Sequence, residues 1–284
     1  MPRFVDDFGV SITYYEWLID SPRAIVQIAH GVGEHALRYE RLAGVLNRAG
    51  YSVVADDHRG HGQTGVEQHG GDLSKMGKLG PGGLRAAEAA IRRLGTLTRI
   101  ANPGVPLVYL GHSWGSLMGQ RLFNQYPGDY DAIILTGSAY RMPGFLESGD
   151  LNKRHKHLGT TGYEWLSRDP KVHEAFAADP LTFDAKILRL FGLRDSLRLF
   201  GRPKANIGVN PPMLLMVGDD DTVGGEASVE RLAQEYLKRS GLTDVTAIIY
   251  EGARHEIFNE TNKDEVFDDL IDWLDEHFAK ANAQ

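Results

Sequence analysis

The sequence predicts an α/β domain in which a mostly parallel sheet is flanked by helices and carries an inserted helical cap. Three observations lead there. Short apolar, β-branched runs alternate with helical patterns along most of the chain, the mark of a sheet covered on both faces. One run, Leu107-Val108-Tyr109-Leu110, passes straight into Gly111-His112-Ser113-Trp114-Gly115, a strand-to-helix turn. The alternation then fails between about residues 140 and 205, where no strand–helix–strand unit can be read.

The elements follow in order. Candidate strands are Ile12–Leu18, Ala24–His30, Ser52–Asp56, Leu107–Gly111, Ala132–Thr136, Met213–Val217 and Val245–Tyr250. Between them, Leu42, Val45, Leu46 and Ala49 repeat at the i, i+3, i+4, i+7 spacing of a helix with one apolar stripe. Val229, Leu232, Ala233 and Tyr236 do the same, as do Phe267, Leu270, Ile271, Leu274 and Phe278 near the end. The irregular segment opens with a Gly- and Pro-marked loop at Arg141–Asp150, continues through the basic Lys153-Arg154-His155-Lys156-His157, and then offers short helical patterns. Residues 140–205 hold 12 Lys and Arg against 8 Asp and Glu, so the rest of the chain stands at −11 of a total of −7. The expected organisation is a core of residues 1–139 and 206–284 with a cap, or lid, at 140–205.

At 284 residues the chain can bury about 75% of its unfolded surface and needs no covalent staple. It has 0 cysteines, which excludes disulfides, a thiol nucleophile and thiolate metal sites. No apolar leader opens the sequence and no run approaches a membrane span, so a cytoplasmic protein is expected. The net charge of −7 argues against nucleic-acid binding.

Serine is a poor nucleophile at neutral pH and needs a base, which in turn needs a group to orient it. In a G-x-S-x-G turn the flanking glycines clear space, the serine stands above the sheet, and the next N–H faces a developing oxyanion. The partners are expected downstream, acid before histidine. Met213–Val217 runs into Gly218-Asp219-Asp220-Asp221, and Val245–Tyr250 into Glu251-Gly252-Ala253-Arg254-His255. Ser113, one aspartate of the trio and His255 therefore fall at C-terminal strand ends, where ligands bind in open α/β sheets. The glycine-bracketed His30-Gly31-Val32-Gly33-Glu34-His35 follows an early strand. The backbone N–H groups of Val32 and Trp114 are the expected oxyanion donors.

With these pieces together the chain resembles the α/β-hydrolases of the monoacylglycerol lipase and lysophospholipase group. The likeness rests on His30-Gly31-Val32-Gly33-Glu34-His35, Asp57-His58-Arg59-Gly60-His61-Gly62, Gly111-His112-Ser113-Trp114-Gly115, Gly218-Asp219-Asp220-Asp221 and Gly252-Ala253-Arg254-His255-Glu256. Trp165-Leu166-Ser167-Arg168-Asp169-Pro170 and Asp179-Pro180-Leu181 resemble that group's cap. The resemblance implies the α/β-hydrolase fold, and it selects Asp221, third after Gly218, as the acid. It also implies ester hydrolysis through an acyl-enzyme, with monoacylglycerols or lysophospholipids as substrates and no cofactor. Two positions depart from the pattern: Trp114 stands where Met or a similar residue is usual, and Ser116 where Gly is common.

Blander readings are weighed for the remaining features. His30, His35, His58 and His61 lack the spacing of a zinc site and are expected to hydrogen-bond around the oxyanion loop, with Asp57 tying that loop down. Asp219 and Asp220 are expected to cap the next helix or to solvate the loop. Gly31-x-Gly33 lacks the third glycine of a dinucleotide fingerprint. Ile187, Leu188, Leu190, Phe191, Leu193, Leu197, Leu199 and Phe200 pack the cap or line an acyl channel, and the interleaved Lys186, Arg189, Arg194 and Arg198 suit a transient contact with a lipid surface. A thioesterase, small-amide peptidase, acyltransferase or perhydrolase on the same triad is the nearest alternative, followed by a ligand-binding module without turnover. Oligomeric state is not legible.

Overall fold

A computed structural model describes residues 1–147 and 149–278. Its sheet has eight strands: β1 (Arg3–Val5), β2 (Ser11–Trp17), β3 (Ile25–Ala29), β4 (Ser52–Asp56), β5 (Leu107–His112), β6 (Ala132–Thr136), β7 (Met213–Gly218) and β8 (Val245–Tyr250). They lie in the order β1-β2-β4-β3-β5-β6-β7-β8. The first two pairings, β1 with β2 and β2 with β4, are antiparallel, and the rest are parallel. Every residue of β3 to β7 is buried, because helices cover both faces.

The eight helices are α1 (Glu40–Arg48), α2 (Gly62–Gln68), α3 (Gly83–Ala101), α4 (Trp114–Gln125), α5 (Pro170–Ala178), α6 (Ile187–Arg198), α7 (Gly225–Glu235) and α8 (Lys263–His277). Apolar stripes of α3, α4 and α7 pack into one core with Tyr109, Leu135 and Leu215 of the sheet. Those of α1 and α8 form the second core with Leu110, Ile134 and Leu214, the alternate residues of the same strands. The two cores are the two sides of one sheet.

All seven expected strands are present with ends shifted by a residue or so. The sequence reading omits β1, a three-residue edge strand too short to show a period; it pairs Phe4 with Ile12. Among the described residues between β6 and β7 the α-helices are α5 and α6. Asp169 caps α5 by accepting from Lys171 N at 3.0 Å, with Pro170 in the first turn. α6 is broken at Gly192, whose φ of 76° no helix permits. Polar contacts fasten this segment to the core: Leu84 N donates to Asp195 Oδ2 at 3.0 Å, Arg121 Nη1 to the Arg198 carbonyl at 2.6 Å, and Phe183 N to the Gly33 carbonyl at 3.0 Å.

Candidate active site

Ser113 occupies the turn between β5 and α4 with φ 53° and ψ −120°, a region non-glycine residues rarely visit. The sequence on either side makes that turn possible. A Cβ on Gly115 would run into the Ala29 carbonyl, and one on Gly111 would lie 2.7 Å from the Gly115 oxygen. Tyr109 Oη donates to that same Gly115 carbonyl at 2.7 Å, and Ser113 N donates to Thr136 O at 2.9 Å, which locks the turn to β6. Ser116 Oγ, where glycine is common in the group, donates to the Ser113 carbonyl at 2.6 Å.

Asp221 and His255 come from the loops after β7 and β8, and those loops interlock. Gly218 is pressed against the Ala253 carbonyl, where a Cβ would collide. Asp220 N donates to Ala253 O at 3.1 Å, and Gly252 N donates to Asp219 Oδ1 at 2.7 Å. Asp221 is thereby set beneath the ring: His255 Nδ1–H donates to Oδ1 at 2.9 Å and Oδ2 at 3.0 Å, while Val223 N also donates to Oδ1. Both side chains are buried. Burial opposes a charge on His255, but the Asp221 carboxylate, then Glu256 and Glu34, outweigh it and hold its pKa above the usual histidine value. With Nδ1–H committed to Asp221, Nε2 keeps its lone pair, and that atom has no hydrogen-bond partner. Trp165 lies against the ring at 4.8 Å between centroids and His112 at 4.7 Å. Burial, then the neighbouring His255, depresses His112 to about 4.

Asp219 and Asp220 do not cap the next helix. The N-cap of α7 is Gly224, with no side-chain bond. Asp219 pins Gly252 instead, and Asp220 pairs with Arg154 and with His155 Nε2, the latter at 2.7 Å, across to the inserted segment.

Ser113 and His255 line one small cavity with Gly31, Val32 and Trp165. It adjoins a larger one of about 250 Å³, where Val32, Ser113 and Trp114 meet an apolar wall that includes Leu117, Leu146, Ile187, Leu199, Phe200 and Val223. The Trp114 indole is buried, stacked on His61 at 5.2 Å and tilted against Phe191 at 4.8 Å. Glu34 accepts from Gly31 N at 2.6 Å, and Asp57 accepts from Ala36 N at 2.9 Å and Gln63 N at 2.7 Å, so both carboxylates pin the Gly31–Ala36 loop. His30 stacks on His58 at 3.9 Å, and His58 Nδ1 bonds Asp56 Oδ2 at 2.8 Å. Burial lowers His30 far below its usual value and His61 to about 3, so both are neutral packing groups. Among the described residues no three His, Asp or Glu side chains are grouped to hold a metal ion.

The structure thus brings Ser113, Val32 and Trp114 to one cavity, and hydrogen-bonds Asp221 to a His255 that shares a cavity with Ser113. Sequence reasoning missed the contact of Trp165 with His255 and a bridge from Arg38 to both Glu34 and Glu256. Glu34 and Glu256 each sit inside a motif, so acidic residues beside a glycine loop and beside the histidine were the available signal.

A sheet of this order, with a serine on a strained strand-to-helix turn and an Asp–His pair on the loops after its last two strands, defines an α/β-hydrolase. The family model described as serine aminopeptidase, S33 matches residues 20–262. The chain is 33% identical to a monoacylglycerol lipase of Mycolicibacterium smegmatis over 95% of its own length and 94% of that protein. It is 26% identical to the human monoglyceride lipase over 99% of this chain and 92% of that one. A thermostable carboxyl esterase from Bacillus coagulans, solved with glycerol, superposes with a TM-score of 0.84 at 25% identity, covering 98% of each chain. The chain belongs to this family of α/β-hydrolases, in the monoacylglycerol lipase group, and is by class a serine carboxylic-ester hydrolase. No helix among the described residues is long and apolar enough to cross a membrane.

Proposed function

We propose that the protein hydrolyses monoacylglycerols or lysophospholipid-type esters through an acyl-enzyme on Ser113. One observation carries the reading: a buried His255, bonded to Asp221 and with its Nε2 unpartnered, lines the same cavity as Ser113, and that cavity adjoins an apolar one. His255 Nε2 takes the Ser113 proton as Oγ attacks the ester carbonyl. The N–H groups of Val32 and Trp114 hold the oxyanion. The tetrahedral intermediate collapses as His255 protonates the leaving alcohol, and the same nitrogen then activates water to release the fatty acid. Asp221 keeps the proton on Nδ1 and stabilises the imidazolium. No cofactor enters any step.

Residues 140–205 act as a cap that roofs the acyl cavity. The apolar cavity of about 250 Å³ beside Ser113 receives the acyl chain. Leu188, Leu193 and Leu197 of α6 line that cavity yet stay largely exposed, among Arg189, Arg194 and Arg198. That face suits a transient contact with a lipid surface.

The test is release of fatty acid from monoacylglycerols and lysophospholipids of graded chain length, with Ser113→Ala alongside. Each buried methylene is worth about 0.8 kcal/mol, so kcat/KM rises about fourfold for each carbon the cavity covers and then levels. The Ser113→Ala variant loses about 10⁶ in turnover. Cleavage of small amides with no ester turnover would overturn the substrate class, and an active Ser113→Ala would overturn the mechanism.

A further inference from the structure

The two loops that build the site are joined by one side chain. Arg38, in the turn before α1, donates from Nη1 to Glu34 Oε2 at 2.7 Å and to Glu256 Oε1 at 2.6 Å, and from Nη2 to Glu256 Oε2 at 2.8 Å. Glu34 carries the oxyanion side: its Oε1 accepts from Gly31 N at 2.6 Å and Tyr39 Oη at 2.7 Å. Glu256 follows His255 directly, and its own N donates to the Leu166 carbonyl at 2.7 Å. Arg38, Glu34 and Glu256 are all well covered, with side chains 13%, 5% and 5% exposed, and the guanidinium also lies 4.7 Å from the Phe176 ring of α5. Two carboxylates buried side by side repel, and one shared guanidinium both relieves that and fixes their spacing through a planar fork.

We propose that Arg38 is a positioning residue for the ester-cleaving reaction. It sets the gap between the oxyanion loop and the base loop, and it fixes the net charge that His255 faces. The inference rests on the role given to His255 above. The charged and titratable groups around that ring are Asp221 from the loop after β7, Glu256 beside it, Glu34 and Arg38 from the segment after β3, and His112 at the end of β5. Arg254 is turned away, donating to the Glu164 and Ser167 carbonyls. With Glu34 and Glu256 ionised and Arg38 between them, the cluster presents one net negative charge to the imidazole. That charge favours the imidazolium that forms during turnover.

The sign of the effect can be read in the pH profile. kcat/KM requires a neutral imidazole, so it rises with pH through the titration of His255. In Glu256→Gln the cluster becomes neutral, and the acidic limb is expected to move down by about one pH unit. In the Glu256→Gln/Arg38→Met double variant one negative charge returns, and the limb moves back up. Arg38→Lys keeps the charge but loses the fork, so the limb stays while plateau kcat falls about tenfold from misplacement of the two loops. The titration of the His255 ring is followed in parallel by NMR of histidine-labelled protein, its signal identified by its loss in His255→Asn. That reading needs no substrate, so it separates failure of this inference from failure of the ester reading. A limb and an NMR titration that stay put in both Glu256 variants would overturn the charge role. An Arg38→Lys enzyme that turns over like the parent would overturn the positioning role. A clamp that only held the fold together would lower the plateau in every variant and shift neither titration.

Discussion

The central strands and the segment between β6 and β7 solve opposite problems. Along β5, β6 and β7 every residue is buried, and the two faces feed two separate cores. On α6, Leu188, Leu193 and Leu197 stand 62%, 65% and 58% exposed, and a glycine breaks the helix midway. The strands are held by their own side chains. α6 lays Ile187 and Phe191 on the core and is tied down by polar contacts: its carbonyls accept from Lys78 and Arg121, and its Asp195 accepts from Leu84 N. Under the proposed function, the chemistry that needs fixed geometry falls on the strand ends and the wall that admits an acyl chain on the looser part.

Three substitutions or titrations sharpen that contrast. The largest effect belongs to the strand ends: Asp221→Asn should cost about 10⁴ in turnover with little change in thermal stability, because the imidazole loses its tautomer and its charge partner. Steady-state kinetics beside calorimetry reads both. Next comes packing. Leu215→Ala in β7, fully buried, should destabilise by about 2–5 kcal/mol, whereas Leu193→Ala in α6 should change stability by no more than about 0.5 kcal/mol. Denaturant unfolding of the pair decides it, and equal costs would mean that α6 is packed like the core.

The third is acid. Free histidine titrates near 6.5, but burial keeps His112 neutral to about 4 and His61 to about 3. Unfolding exposes both, so the unfolded chain binds more protons across that window. Their contribution is complete above about pH 6.5 and is lost as pH falls toward the folded values, roughly 3 kcal/mol from His112 alone. His255, whose folded value is raised, has the opposite sign and adds stability on the acid side. Unfolding free energies between pH 7 and 4 measure the balance, and the His112→Asn variant should flatten the slope.

The same contrast explains what the sequence made legible. β3 to β7 are read correctly because double burial leaves a run of apolar residues whose composition alone marks them, as in Met213–Val217. Ser113, His255 and the aspartate trio stand out as candidates because each follows a strand beside glycines, while the choice of Asp221 within the trio comes from the family resemblance alone. β1 escapes because three residues carry no period. Within the inserted segment the apolar residues of α6 suggest burial, but half of them face outward, since nothing in the local sequence records what α6 docks against. The Arg38 bridge is invisible for a related reason. Its ends lie 218 residues apart, and only the closed sheet brings them together.

The indole tilted against His255 has an optical consequence. An imidazolium quenches a nearby indole and a neutral imidazole does so far less. Trp165, 4.8 Å from the His255 ring, is therefore a built-in gauge of that proton. Trp114 lies against two histidines, His61 at 5.2 Å and His58 at 5.6 Å. Trp273 lies 4.3 Å from His277 on α8, so the part of the emission change that is lost in Trp165→Phe is the site reporting on itself by its own light.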